Sequence, residues 1–313
     1  MKATVLQALH YESLVHASRG SEKQALQAFE QLQTELDTTQ PLLLHIDRYA
    51  AILGVKSSVV SDAYYHCRTA FEKMDDSVVV LDRSSPHWPK QIDSFAYRPM
   101  FLYVQGNLGL LKEPSVSVIG TRSPSLEGKE LALQTSRALG KAGYVVASGL
   151  ALGIDGVAHK AALAMGNPTI AVIGTPLCSV YPPEHELLQQ QIAQCGAVVS
   201  RFAPSTKTQK WHFLLRNRLM SALSLASVVV EDRDGGGAVR QATFALEQKR
   251  YIFIYQGSVD NHSILWPRQF ANKSRVFVIH KSGDIPRVLA QAMKRKASVG
   301  KPKDAFVQLQ LFS

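Results

Sequence analysis

Residues 148–159 have the sequence Ser148-Gly-Leu-Ala-Leu-Gly-Ile-Asp155-Gly-Val-Ala-His159. An apolar run, Tyr144-Val-Val-Ala147, precedes this stretch, and a helical pattern follows it through Ala162. Glycines between a strand and a helix allow a tight turn and bring backbone N–H groups close to an anion. The stretch therefore predicts a strand, a loop and a helix. Its glycines are equally compatible with a tight turn that binds no ligand.

The same pattern occurs upstream, where Val116–Ile119 runs into Gly120-Thr121-Arg122-Ser123. An arginine beside a helix N-terminus can hold a phosphate with two hydrogen bonds. Loops at the C-terminal ends of successive strands define the crevice where open α/β sheets bind ligands. We therefore expect a phosphate-bearing ligand. The candidate contacts at these two loops are Gly120, Thr121, Arg122, Ser148 and Gly149, and Gly174, after a third strand, is expected to line the same pocket.

A basic and aromatic segment follows later, with Lys207-Thr-Gln-Lys210-Trp211 leading into His212-Phe213-Leu-Leu-Arg216-Asn217-Arg218. Lysines can track a nucleic-acid backbone, while Trp211 or Phe213 offers a face on which a base can stack. Phe213 is equally consistent with a core residue at the start of a helix. Arg216 and Arg218 diverge by about 200° on a helix. One of them is expected to face the ligand and the other to pair with an acid, and the sequence leaves open which.

Composition agrees with an anionic partner. The 313 residues include 35 Lys and Arg against 25 Asp and Glu, which gives a formal charge of +10. Each phosphate that such a surface neutralises releases counterions, so nucleic acid is the expected partner. The three cysteines are too scattered for a disulfide framework or a zinc cluster. We find no long apolar run and no signal-peptide pattern, so a cytoplasmic protein without membrane contact is expected.

The sequence pattern predicts three regions. Residues 1–76 form a helical accessory region, residues 77–290 a Rossmann-like DNA-binding domain, and residues 291–313 a basic flexible tail. Short, near-continuous apolar runs suit a doubly wound, mostly parallel sheet in an α/β fold. The predicted strands are 77–81, 101–104, 116–119, 144–147, 169–173, 197–200, 227–231, 251–255 and 275–279. No Gly-x-Gly-x-x-Gly fingerprint follows the first strand of the alternating region, so no nicotinamide or other cofactor is expected.

Four segments resemble, in order and spacing, the hallmarks of the DNA-processing protein A (DprA, or Smf) family: Gly120-Thr-Arg122-Ser-Pro124, Ser148-Gly-Leu…Gly153-Ile-Asp155…Ala-His159, Val180-Tyr-Pro-Pro183 and His212-Phe…Arg216-Asn-Arg218. The resemblance implies a non-enzymatic, single-stranded DNA-binding protein of DNA uptake and recombination. It further implies protection of incoming DNA, help in loading the RecA recombinase, and a homodimer. DNA would lie against the loop residues above together with Lys207, Lys210, Phe213, Arg216, Asn217 and Arg218.

This chain departs from the family pattern at several positions. Leu152 stands where the family usually has arginine, and Arg201 where it usually has glutamate. At Gly236 and Gln241 two hydroxyl side chains are lost. These departures put the individual pocket contacts in doubt. The alternative function is an enzyme or sensor that binds a small nucleotide in the same crevice, of the Rossmann-like lysine-decarboxylase or nucleotide phosphoribohydrolase type. Such an enzyme would not need the basic and aromatic segment.

Two further patterns were weighed for chemistry. Asp155 and His159, at i and i+4, share a helix face and suggest either an acid–base pair or a helix-dipole carboxylate with a structural histidine. No nucleophile or metal set joins them, so no catalysis is expected. Asp234-Gly-Gly-Gly-Ala238 lacks the proline, threonine and glutamate of the phosphoribohydrolase loop. We interpret it as another strand-to-helix loop that lines the anion site.

The last residues, Gln308-Leu309-Gln-Leu311-Phe312-Ser313, look like the clamp-binding peptide of bacterial replication and repair proteins. Gln308 would hydrogen-bond at the rim of a pocket on the β sliding clamp, and Leu309, Leu311 and Phe312 would make apolar contacts. A linker containing Gly300 and Pro302 would let the peptide reach a partner. The alternation of apolar residues with glutamines is also compatible with an added edge strand.

Overall fold

The computed structural model describes residues 1–33, 40–95 and 97–298. These residues form two compact units, which we call the first unit (residues 1–113 and 168–219) and the second unit (residues 114–167 and from 220 onward). Apart from short 3-10 turns, the first unit contains four helices in the N-terminal region, one later helix and four strands. They are α1 (Ala3–Ala17), α2 (Glu22–Gln33), α3 (Ile46–Leu53), α4 (Ser57–Glu72), β1 (Val78–Leu81), β2 (Leu102–Gly106), β5 (Thr169–Ile173), α7 (Glu186–Cys195) and β6 (Ala197–Ser200).

The strands of the first unit lie in the order β1-β2-β6-β5. The β1–β2 and β2–β6 pairs are antiparallel, and the β5–β6 pair is parallel. The N-terminal helices bury Leu9, Leu14 and Phe29 in one core with Phe101 and Tyr103 beside or within β2. Residues 1–76 therefore share their core with the first strands, and no break in this core marks a boundary at residue 76.

The second unit holds five strands and most of the remaining helices. They are β3 (Ser115–Ile119), α5 (Leu126–Lys141), β4 (Val145–Ser148), α6 (Ile154–Ala164), β7 (Ala226–Val229), α9 (Gly237–Glu247), β8 (Tyr251–Tyr255), α10 (Gln256–Asp260), α11 (Trp266–Ala271), β9 (Val276–Ile279) and α12 (Asp284–Ser298). The remaining helix, α8 (His212–Leu223), begins in the first unit and ends in the second.

All five strands of the second unit are parallel, in the order β4-β3-β7-β8-β9. Residues of α5, α6 and α12 pack in one core on one face of this sheet. Helix α9 lies against β7 and β8 but takes no part in that core, so it covers the opposite face. From β3 the chain adds β4 on one side and later adds β7, β8 and β9 on the other side. The boundary between β3 and β7 is therefore the switch point of the strand order, where doubly wound sheets bind their ligands.

The predicted α/β fold with a mostly parallel, doubly wound sheet is confirmed. Every predicted strand overlaps an observed one, and the ends differ by at most two residues. The periodicity succeeds because β-branched residues buried on both faces form near-continuous apolar runs.

One boundary was wrong. Residues 291–298 were expected in a flexible tail, but α12 continues through Ser298, because the helix breakers Gly300 and Pro302 come only later. The predicted clamp-binding residues, Gln308, Leu309, Leu311 and Phe312, lie outside the described residues. In the part of the chain that is described, no helix combines the length and apolarity needed to cross a membrane.

Candidate nucleic-acid interface

The loop after β3 carries Arg122 at the surface of the second unit. Thr121 N donates to the Glu231 carbonyl at 2.7 Å, and this bond fixes the loop beside the end of β7. A Cβ on Gly120 would lie 2.5 Å from Ile154 Cγ1, so only glycine fits between these elements. The Arg122 side chain is exposed, and no described residue forms an ion pair or hydrogen bond with its guanidinium. It is therefore available to an anionic ligand.

Gly153 packs against the backbone of the loop that carries Arg122. Its φ of +79° is a left-handed conformation that favours glycine, and a Cβ there would collide with the carbonyls of Thr121 and Arg122. Ile154 N donates to the Thr121 carbonyl at 3.2 Å. The Gly153-Ile-Asp155 segment therefore fixes the backbone that presents Arg122.

The N-terminus of α5 is already occupied by a carboxylate of the protein. Ser125 Oγ donates to Glu231 Oε2 at 2.8 Å, and Ser125 N donates to the same oxygen at 3.1 Å. Ser125 also caps the helix, because its Oγ accepts the N–H of Gly128 at 2.9 Å. Glu231 thus stands where a ligand phosphate was expected, and the sequence analysis missed this role because the residue lies 106 positions away from Ser125.

The loop between β4 and α6 is closed in a similar way. Asp155 Oδ2 accepts the N–H of Gly149 at 3.1 Å and the N–H of Ala151 at 3.3 Å. Ser148 is fully buried, and its Oγ donates to the Val118 carbonyl at 2.7 Å. In this structure the Ser148 hydroxyl and the Gly149 N–H are bound within the protein, and their contact with a phosphate stays a prediction.

The glycine loop before α9 follows the same principle. Asp232 Oδ2 accepts the N–H groups of Ala238 and Val239 at 2.8 and 3.2 Å. Its carboxylate also fills the space that a Cβ on Gly236 would need. The loop is the strand-to-helix connection that the sequence predicts, and a buried aspartate accepts two N–H groups at the start of its helix; a role in an anion site stays a prediction.

In the first unit, Phe213 lies over Gly174 at the end of β5. A Cβ on Gly174 would lie 2.6 Å from Phe213 Cδ1, so the absence of a side chain lets the ring pack there. The Tyr181 ring lies 5.2 Å from the Phe213 ring at an angle of 53°. Phe213 is partly buried, whereas Tyr181 keeps 46% of its surface exposed. Gly174 is thus covered by an aromatic ring and serves packing.

Two of the predicted contacts on α8 are buried. Arg216 is 5% exposed, and its Nη1 donates to the Val172 carbonyl at 3.0 Å while its Nε donates to Asn217 Oδ1 at 2.8 Å. Asn217 is 9% exposed. Arg216 thus binds the end of β5 and Asn217 accepts from Arg216, so contact of either buried side chain with a nucleic acid stays a prediction.

Arg218 points in a different direction from Arg216, and which of the two arginines faces a ligand stays a prediction. Its guanidinium lies 4.7 Å from the centre of the Tyr97 ring, which precedes β2, and the side chain is partly exposed. Arg216 turns inward and Arg218 turns toward an exposed tyrosine, as the angle between them on a helix requires.

The lead-in to α8 is the most exposed part of this region. Lys207 and Lys210 are exposed, and no described residue pairs with either ammonium group. Trp211 keeps half of its surface, 50%, exposed to solvent. Among the aromatic residues at the start of α8, Trp211 therefore offers a freer face for stacking than Phe213.

His212 holds this exposed segment in place. Its ring stacks on Phe202 at 4.1 Å, and Gln209 N donates to its Nδ1 at 3.2 Å. Burial, together with the charge of Arg201, lowers the pKa of His212 to about 4. The imidazole is therefore neutral at pH 7, which its role as an acceptor of the Gln209 N–H requires.

The residues between β6 and this segment are tied to the N-terminal helices. Arg201 Nη2 pairs with Glu22 at 2.7 Å, and Glu12 Oε1 accepts from Thr206 Oγ1 at 2.9 Å. Desolvation of Glu12 raises its pKa to about 7, despite the hydrogen bond from Thr206. The sequence analysis missed both carboxylates, since neither belongs to a motif.

The described residues contain no group of three or more His, Cys, Asp or Glu side chains placed to hold a metal ion.

The fold and these surfaces define a Rossmann-like α/β protein whose strand-end loops lack the dinucleotide fingerprint and whose α8 region carries exposed cations and aromatic rings. The sequence profile of the DNA recombination-mediator protein A family matches residues 79–280. The chain belongs to this family, as the four hallmark segments predicted.

Individual relatives agree. The chain is 36% identical over 186 residues to the DNA processing protein DprA of Bacillus subtilis, a match covering 59% of this chain and 63% of that protein. It is 36% identical over 212 residues to DprA of Streptococcus pneumoniae, covering 68% and 73% of the two chains. With the Synechocystis protein Smf, the match spans 46% of the relative. The chain therefore matches less than two thirds of the length of some relatives.

Solved structures show the same relationship. The crystal structure of DprA from Streptococcus pneumoniae superposes with a TM-score of 0.73 at 28% identity, covering 88% of this chain and 96% of the other. A structure of DNA processing protein A from Helicobacter pylori, solved to explain its single-stranded DNA binding mode, gives a TM-score of 0.61 at 28% identity, with 69% and 96% covered.

Proposed function

We propose that this chain is a single-stranded DNA-binding protein and that the surface at the start of α8 makes the main contacts. The carrying observation is the exposed segment in which Lys207, Lys210 and the half-exposed Trp211 follow one another without an internal ion pair among the described residues. Membership of the DprA family and the single-stranded DNA binding mode of the Helicobacter pylori relative support the assignment.

The physical chemistry of this segment favours single strands. Unpaired ammonium groups attract the phosphate backbone, and each contact with a single strand makes the slope of log affinity against log salt more negative by about 0.7. Aromatic faces stack on bases with little sequence preference, for a gain of about 1–3 kcal/mol per base. In a duplex the bases are already stacked on each other. We therefore expect weaker binding of duplex DNA of the same length.

Arg122 makes a second contribution, from the second unit. The Gly120-Thr121-Arg122 loop is held by Glu231 and Gly153, and its guanidinium has no partner among the described residues. A rigid backbone carrying an unpaired arginine suits a two-point hydrogen bond to one phosphate. Gly120 and Thr121 then act by shaping the loop, whereas Arg122 touches the DNA.

The small-nucleotide alternative is less well supported. Fold relatives that bind nucleotides place the phosphate at a helix N-terminus near the switch point of the sheet. Here the N-termini of α5 and α9 and the loop before α6 direct their donors to Glu231, Asp232 and Asp155. A nucleotide phosphate at those donors would have to displace a carboxylate.

The test is a set of titrations of the full chain with labelled oligothymidine, a duplex of equal length and nucleoside monophosphates, each between about 50 and 200 mM salt. We expect micromolar or tighter binding of oligothymidine that weakens as salt rises. The double variant Lys207→Ala and Lys210→Ala should reduce the magnitude of the slope of log affinity against log salt by about 1.4. The control is the double variant Lys129→Ala and Lys141→Ala, which removes two exposed lysines of α5. Preferred binding of monophosphates would overturn the proposal in favour of a nucleotide enzyme or sensor.

As family resemblance implies, we also propose that the protein protects single-stranded DNA during uptake and recombination, helps to load RecA, acts as a homodimer and has no catalytic activity of its own. The test is RecA-dependent strand exchange on oligonucleotides covered by a single-strand-binding protein, with and without this chain. No acceleration would contradict the RecA role. DNA cleavage with magnesium that is lost in Asp155→Asn would contradict the absence of catalysis.

The C-terminal peptide supports a separate proposal, docking on the β sliding clamp. It rests on Gln308, Leu309, Leu311 and Phe312 alone. A labelled peptide of residues 303–313 should bind the host clamp in a polarisation assay. Leu311→Ala and Phe312→Ala together should abolish binding, because they remove the apolar side chains of the motif. Binding that survives both substitutions, or its absence at tens of micromolar, would contradict this role.

A further inference from the structure

Tyr97, in the loop before β2, is an exposed tyrosine beside an arginine. It keeps 55% of its surface exposed, and the Arg218 guanidinium lies 4.7 Å from its ring centre. A guanidinium at this distance is attracted by the ring and restricts its motion. No sequence motif contains Tyr97, so the sequence alone does not predict a role for it. The structure shows a positioned aromatic ring that is open to solvent.

The backbone of Tyr97 is also held. Arg201 Nη1 donates to the Tyr97 carbonyl at 2.9 Å, while Arg201 Nη2 pairs with Glu22 at 2.7 Å. The buried Phe95 lies beside the tyrosine, with the ring centres 6.2 Å apart. A glutamate at position 201, which the family resemblance implies as the usual residue, could neither donate to this carbonyl nor pair with Glu22. The arginine thus creates a support for Tyr97 that a glutamate would not provide.

The surroundings of Tyr97 are cationic. Arg98, the next residue, is exposed, and Arg218 lies against the ring. The nearby carboxylate of Asp93 accepts from Trp88 Nε1 at 3.0 Å and pairs with Arg83 at 3.3 Å. A flat ring beside guanidinium groups matches a ligand that combines an aromatic face with a negative charge, as a nucleotide unit of a single strand does.

We propose that Tyr97 is a base-stacking residue, supported by Arg201 and Arg218, that binds a nucleotide of the same strand that contacts the start of α8. The inference rests on the proposed single-stranded DNA binding. Arg218 follows Trp211, the residue before α8, by seven positions or about two helical turns, a rise of about 10.5 Å along the helix axis. One strand can therefore reach both aromatic positions. Base stacking at Tyr97 would extend the DNA-binding surface beyond the basic segment, and Arg201 would then hold a residue that contacts DNA.

The experiment compares two ligands with equal numbers of phosphates: oligothymidine and an oligonucleotide of the same length made of abasic sites. Tyr97→Ala should weaken oligothymidine binding about five- to a hundredfold, the range expected for the loss of one stacked base. It should leave abasic binding unchanged, because no base is there to stack. Tyr97→Trp should restore oligothymidine binding. Tyr65→Ala is the matched control, since Tyr65 is a tyrosine of α4 with a similar exposure of 53%.

The outcomes separate the two proposals. If the wild-type chain does not bind oligothymidine, the proposed function fails, and this inference with it. If the wild type binds and Tyr97→Ala binds equally well, only the stacking role is overturned. An equal loss on both ligands would also overturn it, because that result means that Tyr97 merely positions Arg218. A selective loss on oligothymidine, with an unchanged melting temperature, supports base stacking.

Discussion

The segments that the sequence marks as candidate ligand contacts differ between the two units. In the second unit, glycine-rich loops and helix N-termini direct their backbone donors to carboxylates of the chain itself. In the first unit, the segment before α8 leaves Lys207, Lys210 and half of Trp211 at the surface. A glycine loop beside a helix therefore indicates close backbone geometry, and the occupant of its donors must be determined separately.

The difference has a simple physical origin. Helix N-termini carry unsatisfied N–H groups, and a nearby aspartate or glutamate stabilises them by accepting these groups and by opposing the helix dipole. Glu231, Asp155 and Asp232 do this in the second unit. Arg122 is the exception there, because its loop is rigid and its side chain remains exposed. Substitutions of exposed cations and rings should therefore change DNA affinity, whereas substitutions of the carboxylates that close the loops should change stability.

The largest expected effect is that of Arg122→Ala on oligothymidine binding. Loss of a charge-assisted pair of hydrogen bonds should weaken binding by roughly 10- to 100-fold, since such bonds contribute about 1.5–3 kcal/mol. The measurement is a fluorescence titration at fixed salt. Arg137→Ala, which removes an exposed arginine of α5 in the same unit, is the control. Equal losses in both variants would mean that Arg122 acts only through net charge.

A smaller effect is expected from Trp211→Ala. Removing one stacking face should reduce oligothymidine affinity by about five- to a hundredfold, and Trp211→Phe should keep most of it. Quenching of Trp211 fluorescence on binding gives an independent readout. The control is Leu187→Ala in α7, which removes another exposed apolar side chain of the first unit. Unchanged affinity for Trp211→Ala would place the stacking on other rings.

How far the sequence predicts the structure differs between strands and side chains. The nine strands of the described residues all follow from apolar runs, because burial on both faces is a local property of the sequence. The inward direction of Arg216 and Asn217 does not follow, since it depends on the Val172 carbonyl, 44 residues away from Arg216. Glu231 and Tyr97 were missed for the same reason, as their partners Ser125 and Arg218 are distant in sequence.

Substitution of Glu231 should affect stability and leave binding nearly unchanged. Glu231→Gln removes the charge that accepts from Ser125 at the start of α5, at an expected cost of about 1 kcal/mol. The measurement is chemical denaturation, with Glu130→Gln on the exposed side of α5 as the control. Oligothymidine affinity should change by less than about twofold, apart from the small gain that loss of a negative charge gives. A tenfold change in affinity would place Glu231 within the DNA surface and weaken the contrast between the two units.

The smallest effects concern pH and the support of the exposed segment. The pKa of His212 is lowered to about 4, so its contribution to stability is present above pH 6.5 and is lost as the pH falls toward 4. The pKa of Glu12 is raised to about 7, so its contribution is present below about pH 4.5 and is lost as the pH rises through 7. The two contributions oppose each other between pH 5 and 7. Relative to wild type, the melting temperature of Glu12→Gln should therefore fall more steeply when the pH is lowered from 7 to 5, and that of His212→Gln less steeply. Differential scanning calorimetry at the two pH values gives these differences directly. Identical pH profiles for all three proteins would show that neither group has a different pKa in the folded and unfolded chain. The hydrogen bonds of Glu12 and His212 would then contribute to stability without any dependence on pH.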